Sequence, residues 1–254
     1  MRRMGILALL VGVMLVLACA GSASAAAPEW GRCVKVAKGT GTYATGNCTT
    51  LGGTASFDWV PGPGPNPKFT LTVKAEEKHP YLLQGINGTR MGCNEATATG
   101  EITGPQTVGN FSEFTWNGCV TAGVGCEHEQ IHAEVGEGLL GVWKTGETPV
   151  KDRIGIELTP LHIKCTFTGG AVKMSGEGAV IGQVSAPGAM SLTKILTLAG
   201  KKVKGTYHEQ VPSKFVGEPA VSMEWGFGGF PEPLVIVWRS TIAFAEKMEI
   251  NPVV

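Results

Sequence analysis

The chain has 254 residues, enough for one large β domain or two small ones, and its 21 basic residues balance 21 acidic ones. A formal net charge of zero removes the electrostatic basis for binding nucleic acid or an acidic membrane surface. Charged residues make up only 17% of the chain, which also contains 37 glycines. This composition favours short strands and tight turns over solvated helices.

The N-terminal segment, residues 1–27, has the organisation of a secretory signal peptide. Two arginines precede a short apolar run, and the small residues that follow contain A-x-A cleavage sites ending at Ala25 and Ala27. The run is shorter than the roughly 20 apolar residues that a membrane-spanning helix needs. We therefore expect a protein secreted to the extracellular space, with no membrane span. The alternative is a lipid anchor at the cell surface, because Cys19 ends a sequence that loosely matches a bacterial lipobox.

Apolar and polar residues alternate with a period of two along the remaining chain, residues 28–254. This alternation predicts half-buried strands, and Gly- and Pro-rich turns separate them. We interpret one such stretch, residues 62–67, as a long hairpin loop. The pattern predicts a single all-β domain, an antiparallel sandwich or barrel, in which residues 28–53 form a small disulfide-clipped subregion. Its predicted core-facing residues are Phe69, Leu71, Val73, Ile154, Ile156, Leu158, Ile163, Cys165, Phe167, Ile236, Trp238, Ile242, Phe244, Met248 and Ile250.

An even number of cysteines remains once the signal segment is set aside. In an exported chain this number predicts a disulfide framework, and six cysteines allow 15 connectivities. The positions of the predicted hairpin turns favour one of them, which the sequence alone does not fix. Its pairs are Cys33 with Cys48, Cys93 with Cys119, and Cys126 with Cys165.

Three stretches of the chain carry a family resemblance. They are residues 28–36 (PEWGRCVKV), residues 98–105 (ATGEITGP) with residues 107–110 (TVGN), and residues 246–251 (EKMEIN). Together they resemble a group of secreted, β-rich actinobacterial proteins with no assigned activity. The resemblance implies export by a bacterium and one continuous module, and it carries over no functional residue.

The motif with the sharpest chemistry is the H-E-x-x-H of residues 128–132. In zinc hydrolases the two histidines lie one helical turn apart and bind the metal, while the glutamate activates water. In a strand the same four residues span about 13 Å, too far for both imidazoles to reach one zinc ion. Ile131, Ala133 and Val135 fit an apolar strand face. We therefore assign no catalytic residue, metal or cofactor, and keep as an alternative a zinc-dependent hydrolase that uses His128, Glu129 and His132.

Six tryptophans are spread over the chain, and aromatic rings on an exported β scaffold are suited to stacking on sugars. The segment Gly226–Phe230, next to Trp225, is the best candidate for an exposed aromatic loop. The sequence thus predicts an exported, non-catalytic β module with a structural or binding role. A carbohydrate or cell-wall binding module is the first alternative, with cell-wall material or polysaccharide as its partner.

Overall fold

The computed structural model describes residues 27–74, 81–85, 90–122, 131–146, 152–166, 173–227 and 230–251. The predicted signal segment up to residue 26, with Cys19 and Ala25, lies outside these ranges. So do Cys126, His128, Glu129 and Phe167, and the predictions made for them concern residues outside the described part of the chain.

Within the described ranges the chain forms strands and turns, and no helix there is long and apolar enough to cross a membrane. The strands are β1 (Glu29–Lys35), β2 (Phe57–Pro61), β3 (Lys68–Lys74), β4 (Tyr81–Gly85), β5 (Arg90–Gly92), β6 (Glu95–Ile102), β7 (Thr107–Gly109), β8 (Thr115–Asn117), β9 (Val120–Ala122), β10 (Ile131–Lys144), β11 (Arg153–Thr166), β12 (Lys173–Val184), β13 (Ser191–Val203), β14 (Thr206–Val211), β15 (Met223–Phe227), β16 (Phe230–Ile236) and β17 (Trp238–Asn251). The predicted all-β class is confirmed.

Eight of these strands close into an antiparallel barrel. Around the barrel the order is β3, β6, β7, β10, β11, β12, β13 and β17, and β17 pairs back onto β3. The strands follow one another in chain order, so this is an up-and-down arrangement. Of the two predicted architectures, the structure is the barrel.

The remaining strands pair with parts of the barrel strands that project beyond the closed ring, or with one another. β1 pairs with the end of β17 and carries β2 on its other side. β8 pairs with β6, and β14 pairs with β13. A second series of paired strands begins where β15 pairs with β12. It continues from β15 to β16, β4, β5 and β9. Because β2 and β3 do not pair with each other, the prediction of a hairpin loop at residues 62–67 is wrong, and these residues connect two separate parts of the sheet.

The interior of the barrel is filled by the apolar face of its strands. Every predicted core residue whose side chain is described is buried, and Ile236 is the one that belongs to β16 and not to a barrel strand. Gly100 gives room to the ring of Phe69, since a Cβ atom at Gly100 would lie 2.5 Å from that ring. A cavity of about 10 Å³ remains between side chains of the interior, including Leu71 and Ile242. This volume is at the lower limit for a single water molecule.

Two disulfides cross-link segments that lie outside the eight barrel strands. Cys33 in β1 is bonded to Cys48, and Cys93, just after β5, is bonded to Cys119, just before β9. Both pairs are those favoured by the positions of the turns. Cys165 is also disulfide-bonded and lies in β11.

Candidate functional site

The outer surface of the barrel offers more room for a ligand than the interior. An eight-stranded barrel is just wide enough either to be filled by side chains or to hold one small ligand. Here aromatic rings occupy the interior: Trp30 packs edge-on against Phe244 at 5.6 Å between centroids, and Phe69 against Phe111 at 5.9 Å. With a remaining cavity of about 10 Å³, this part of the interior admits no small-molecule ligand.

A groove of about 520 Å³ lies on the outer surface, across the neighbouring strands β6, β3 and β17. We call it the outer groove. The backbone around Phe69, Gly100 and Phe244 forms its floor, since the two phenylalanine side chains are buried. Its outward-facing side chains are those of Lys68, Thr70, Thr99, Glu101, Asn110, Ala243 and Ala245.

The register of the three strands assembles this groove from distant parts of the chain. Thr70 in β3 lies opposite Thr99 in β6 on one side and opposite Ala243 in β17 on the other. Lys68 lies opposite Glu101. Because alternate residues of a strand face the same side, each strand contributes two outward residues to the groove. The small side chains of threonine and alanine leave the central space open.

Glu101 is the best-positioned charged group of the outer groove. Its carboxylate accepts a hydrogen bond of 3.0 Å from the side-chain amide of Asn110, and its other oxygen lies 3.9 Å from the ammonium nitrogen of Lys68. Asn110 holds a left-handed backbone conformation with φ of 51°, which asparagine tolerates better than most residues. The carboxylate thus has a fixed orientation at one end of the groove.

A second polar surface lies on the outside of β10, β11, β12 and β15. Glu134, His162, Glu177 and Glu224 are opposite one another in successive strands, and His162 Nδ1 lies 4.0 Å from a Glu177 oxygen. Two like charges, Glu177 and Glu224, are therefore direct cross-strand neighbours. Within the described ranges no three His, Cys, Asp or Glu side chains converge to hold a metal ion.

His132 lies on this same surface, in an extended strand. The apolar face predicted for a strand is present, because Ile131, Ala133 and Val135 are buried while His132 and Glu134 are exposed. The imidazole of His132 contacts the carboxylate of Glu113. His128 and Glu129 lie outside the described residues, so the zinc-site prediction for the three motif residues stays a prediction.

The tryptophans offer few exposed rings. Trp30, Trp116, Trp225 and Trp238 are buried, and Trp143 is half-buried with the guanidinium of Arg153 5.7 Å from its ring. Trp225 therefore presents no ring to a sugar. Residues 228 and 229 of the predicted aromatic loop, and the side chains of Phe227 and Phe230, lie outside the described part of the chain.

One end of the barrel contains a buried lysine that interacts electrostatically with a half-buried carboxylate. Lys194 is 1% exposed and lies on the same face of β13 as Leu196, in the interior. Burial lowers the pKa of Lys194 to about 8, against the opposing effect of the Glu249 carboxylate. Burial also raises the pKa of Glu249, while Lys194 and the indole of Trp59 act in the opposite direction. Lys194 is enclosed by the protein, whereas Glu249 is half-buried.

Comparisons with protein-family models, with curated proteins and with solved structures find no match. The function is therefore inferred from the geometry of the barrel and of its outer surface.

The sequence-based reasoning missed the outer groove. The sequence feature that could have indicated the groove is a pair of T-x-T segments, Thr70 to Thr72 and Thr97 to Thr99. Each segment has a charged residue next to it on the same strand face. Such segments are also what any exposed strand contains, because threonine is a good strand former. Only the pairing of β3 with both β6 and β17 distinguishes this surface.

Proposed function

We propose that the chain is an exported, non-catalytic β module that acts by binding, and that its outer surface receives the ligand. The single observation that carries the proposal is the contrast between a cavity of about 10 Å³ among the described interior side chains and an outer groove of about 520 Å³. Disulfides support the exported state, because they persist in oxidising compartments and are rare in the cytosol.

Export is tested by expressing the full chain in an actinobacterial host and determining the N-terminus and mass of the product. We expect the culture supernatant to contain a chain that begins just after Ala25 or Ala27, with no reactive thiol before reduction. A membrane-associated product that begins at a lipidated Cys19 would show that the protein is anchored at the cell surface and is not secreted. An intact chain with free thiols inside the cell would contradict export.

Binding is tested with the purified, disulfide-bonded protein and with insoluble peptidoglycan and insoluble polysaccharides as probes. We expect depletion of the protein from solution by at least one of these materials, and elution under unfolding conditions. An unrelated secreted protein of similar size and near-zero net charge serves as the control for non-specific retention. Equal behaviour of the two proteins on every material would contradict a binding role at the cell wall.

A further inference from the structure

We propose that the outer groove, formed by β6, β3 and β17, binds an uncharged glycan chain. This inference rests on the proposed binding function and names the ligand class and the residues that recognise it. It does not depend on exposed aromatic rings, since the buried Trp225 does not supply one.

The dimensions of the groove fit a few sugar units. Its volume of about 520 Å³ lies within the roughly 300–1,000 Å³ that is usual for small-molecule sites. The groove lies across three neighbouring strands on the outer face of the sheet, where a polymer chain can lie along it. Ala243 and Ala245 have short side chains, so β17 does not obstruct the groove. Their methyl groups, together with those of Thr70 and Thr99, can pack against the C–H faces of sugar rings.

The polar groups at one end of the groove match a pair of neighbouring sugar hydroxyls. The Glu101 carboxylate is an acceptor with four lone-pair sites, of which Asn110 and Lys68 occupy only part. The Asn110 amide and the Lys68 ammonium have further N–H donors, and the Asn110 carbonyl is a further acceptor. A hydroxyl both donates and accepts, so two adjacent hydroxyls can satisfy the carboxylate and the donors together. Hydrogen bonds to charged groups of this kind are the stronger ones.

The charge balance of the groove selects for a neutral ligand. Lys68 and Glu101 are the only charged side chains among its described lining residues, and they neutralise each other. An anion or a cation therefore gains no net attraction there, whereas an uncharged polyhydroxylated chain uses the groups without separating the pair.

If Lys68 and Glu101 only stabilised the fold, substituting Glu101 would change stability slightly and would not change glycan affinity. An exposed Lys–Glu pair contributes at most about 1 kcal/mol to stability, and the barrel contains a matched pair elsewhere. Lys201 in β13 and Glu209 in β14 lie 3.7 Å apart on an exposed surface outside the groove. Glu209→Gln is therefore the control for Glu101→Gln.

The experiment titrates the full disulfide-bonded protein with soluble, uncharged oligosaccharides of glucose, mannose and N-acetylglucosamine, followed by NMR chemical shifts and calorimetry. We expect one series to bind and Glu101→Gln to weaken its affinity at least about tenfold, as loss of a charged hydrogen-bond acceptor does. Ala243→Gln, which fills the groove, should also abolish binding, while Glu209→Gln and Ala220→Gln at an exposed loop position should leave it unchanged. Unfolding midpoints of all four variants check that each one is folded.

Two results overturn the inference and remain distinguishable from failure of the proposed function. Binding that neither Glu101→Gln nor Ala243→Gln weakens places the glycan elsewhere. Retention on insoluble wall material without binding of any oligosaccharide series excludes this ligand class while the binding function stands. Absence of retention on every insoluble material, together with absence of oligosaccharide binding, contradicts both.

Discussion

The ammonium nitrogen of Lys194 donates a hydrogen bond of 2.6 Å to the carbonyl oxygen of Ala186 at one end of the barrel. A second hydrogen bond, of 2.7 Å, reaches the carbonyl oxygen of Ala189. Both acceptors belong to the turn between β12 and β13, so a cation inside the barrel holds the turn that closes this end.

Lys194→Met should lower the free energy of unfolding by about 2–3 kcal/mol, because two carbonyls lose their donor and Glu249 loses its cation. Urea unfolding at pH 7 measures the change. Lys201→Met is the control, since Lys201 is exposed and its loss should cost well under about 1 kcal/mol. Equal effects of the two substitutions would show that the turn is held by other contacts.

The same lysine gives the protein a pH dependence in the alkaline range. Its pKa is lowered from 10.5 to about 8 in the folded protein. Between these values the unfolded chain holds a proton that the folded chain has released, so stability rises with pH across this window. Relative to Lys194→Met, the wild type should gain on the order of 2 kcal/mol between pH 8 and pH 10.5. A constant difference between the two proteins would contradict the lowered pKa.

Glu157 should make the free energy of unfolding change with pH in the opposite direction, in the acidic range. Burial raises its pKa above 4.5, and the carboxylate of Glu218 adds to the rise. Between pH 4.5 and the raised pKa the folded chain retains a proton that the unfolded chain has lost, so stability falls as pH rises across this window. Glu157→Gln should remove this fall and stabilise the protein at pH 7 by a few tenths of a kcal/mol, because the partly exposed group is screened by solvent. Thermal unfolding between pH 4 and pH 7 measures it, with the exposed Glu137→Gln as the control that should keep the wild-type slope.

The segment after β14 is docked on the barrel through Gly141. A Cβ atom at Gly141 would lie 2.5 Å from the ring of Phe215, and the Val216 amide donates a hydrogen bond to the Val142 carbonyl beside it. Gly141→Ala should therefore displace Phe215 and cost about 1–3 kcal/mol.

A double-mutant cycle identifies the cause of that loss. In a Phe215→Ala background the same Gly141→Ala substitution should cost much less, since the clash is gone. Gly226→Ala is the control, because its nearest neighbouring atom would lie 3.8 Å from a Cβ atom. Additive effects at Gly141 and Phe215 would contradict the contact.

The two disulfides should each contribute about 3 kcal/mol to stability, in line with loops of 15 and 26 residues. Paired serine substitutions at Cys33 and Cys48, and separately at Cys93 and Cys119, test this by urea unfolding under non-reducing conditions. A loss confined to one pair would show that the other closes a loop already ordered in the unfolded chain.

The zinc-hydrolase alternative is tested by metal analysis of protein purified without chelators. Because His132 lies in a strand and contacts Glu113, we expect zinc well below one ion per chain, and no change in His132→Ala. Stoichiometric zinc that is lost in His132→Ala and in His128→Ala would establish the metal site instead.

Much of the local structure follows from the sequence. The apolar faces of β3 and β11 were predicted from alternation alone, because the side to which a strand residue points depends only on its place in the period of two. The same rule placed His132 on a polar strand face. The burial of Trp225 did not follow, since its outward neighbours Glu224 and Gly226 give no sign of which side β15 packs against.

The outer groove shows why the candidate site did not follow from the sequence. Thr70, Thr99 and Ala243 come from three separate strands, and none of them is unusual in its own segment. Their proximity depends on which strands are neighbours and in what register. Backbone hydrogen bonds are the same for any strand pair, so they carry no information about the partner.

By itself the sequence determined which residues of β3, β10, β11 and β17 turn inward and which cysteines were available for cross-linking. The tertiary structure alone decided that β1 meets β17, with Trp30 opposite Ile250, and that the sheet closes on itself. Alternation is a property of neighbouring residues, whereas closure depends on contacts between strands far apart in the chain, such as β3 and β17, which only the packing of the whole chain selects.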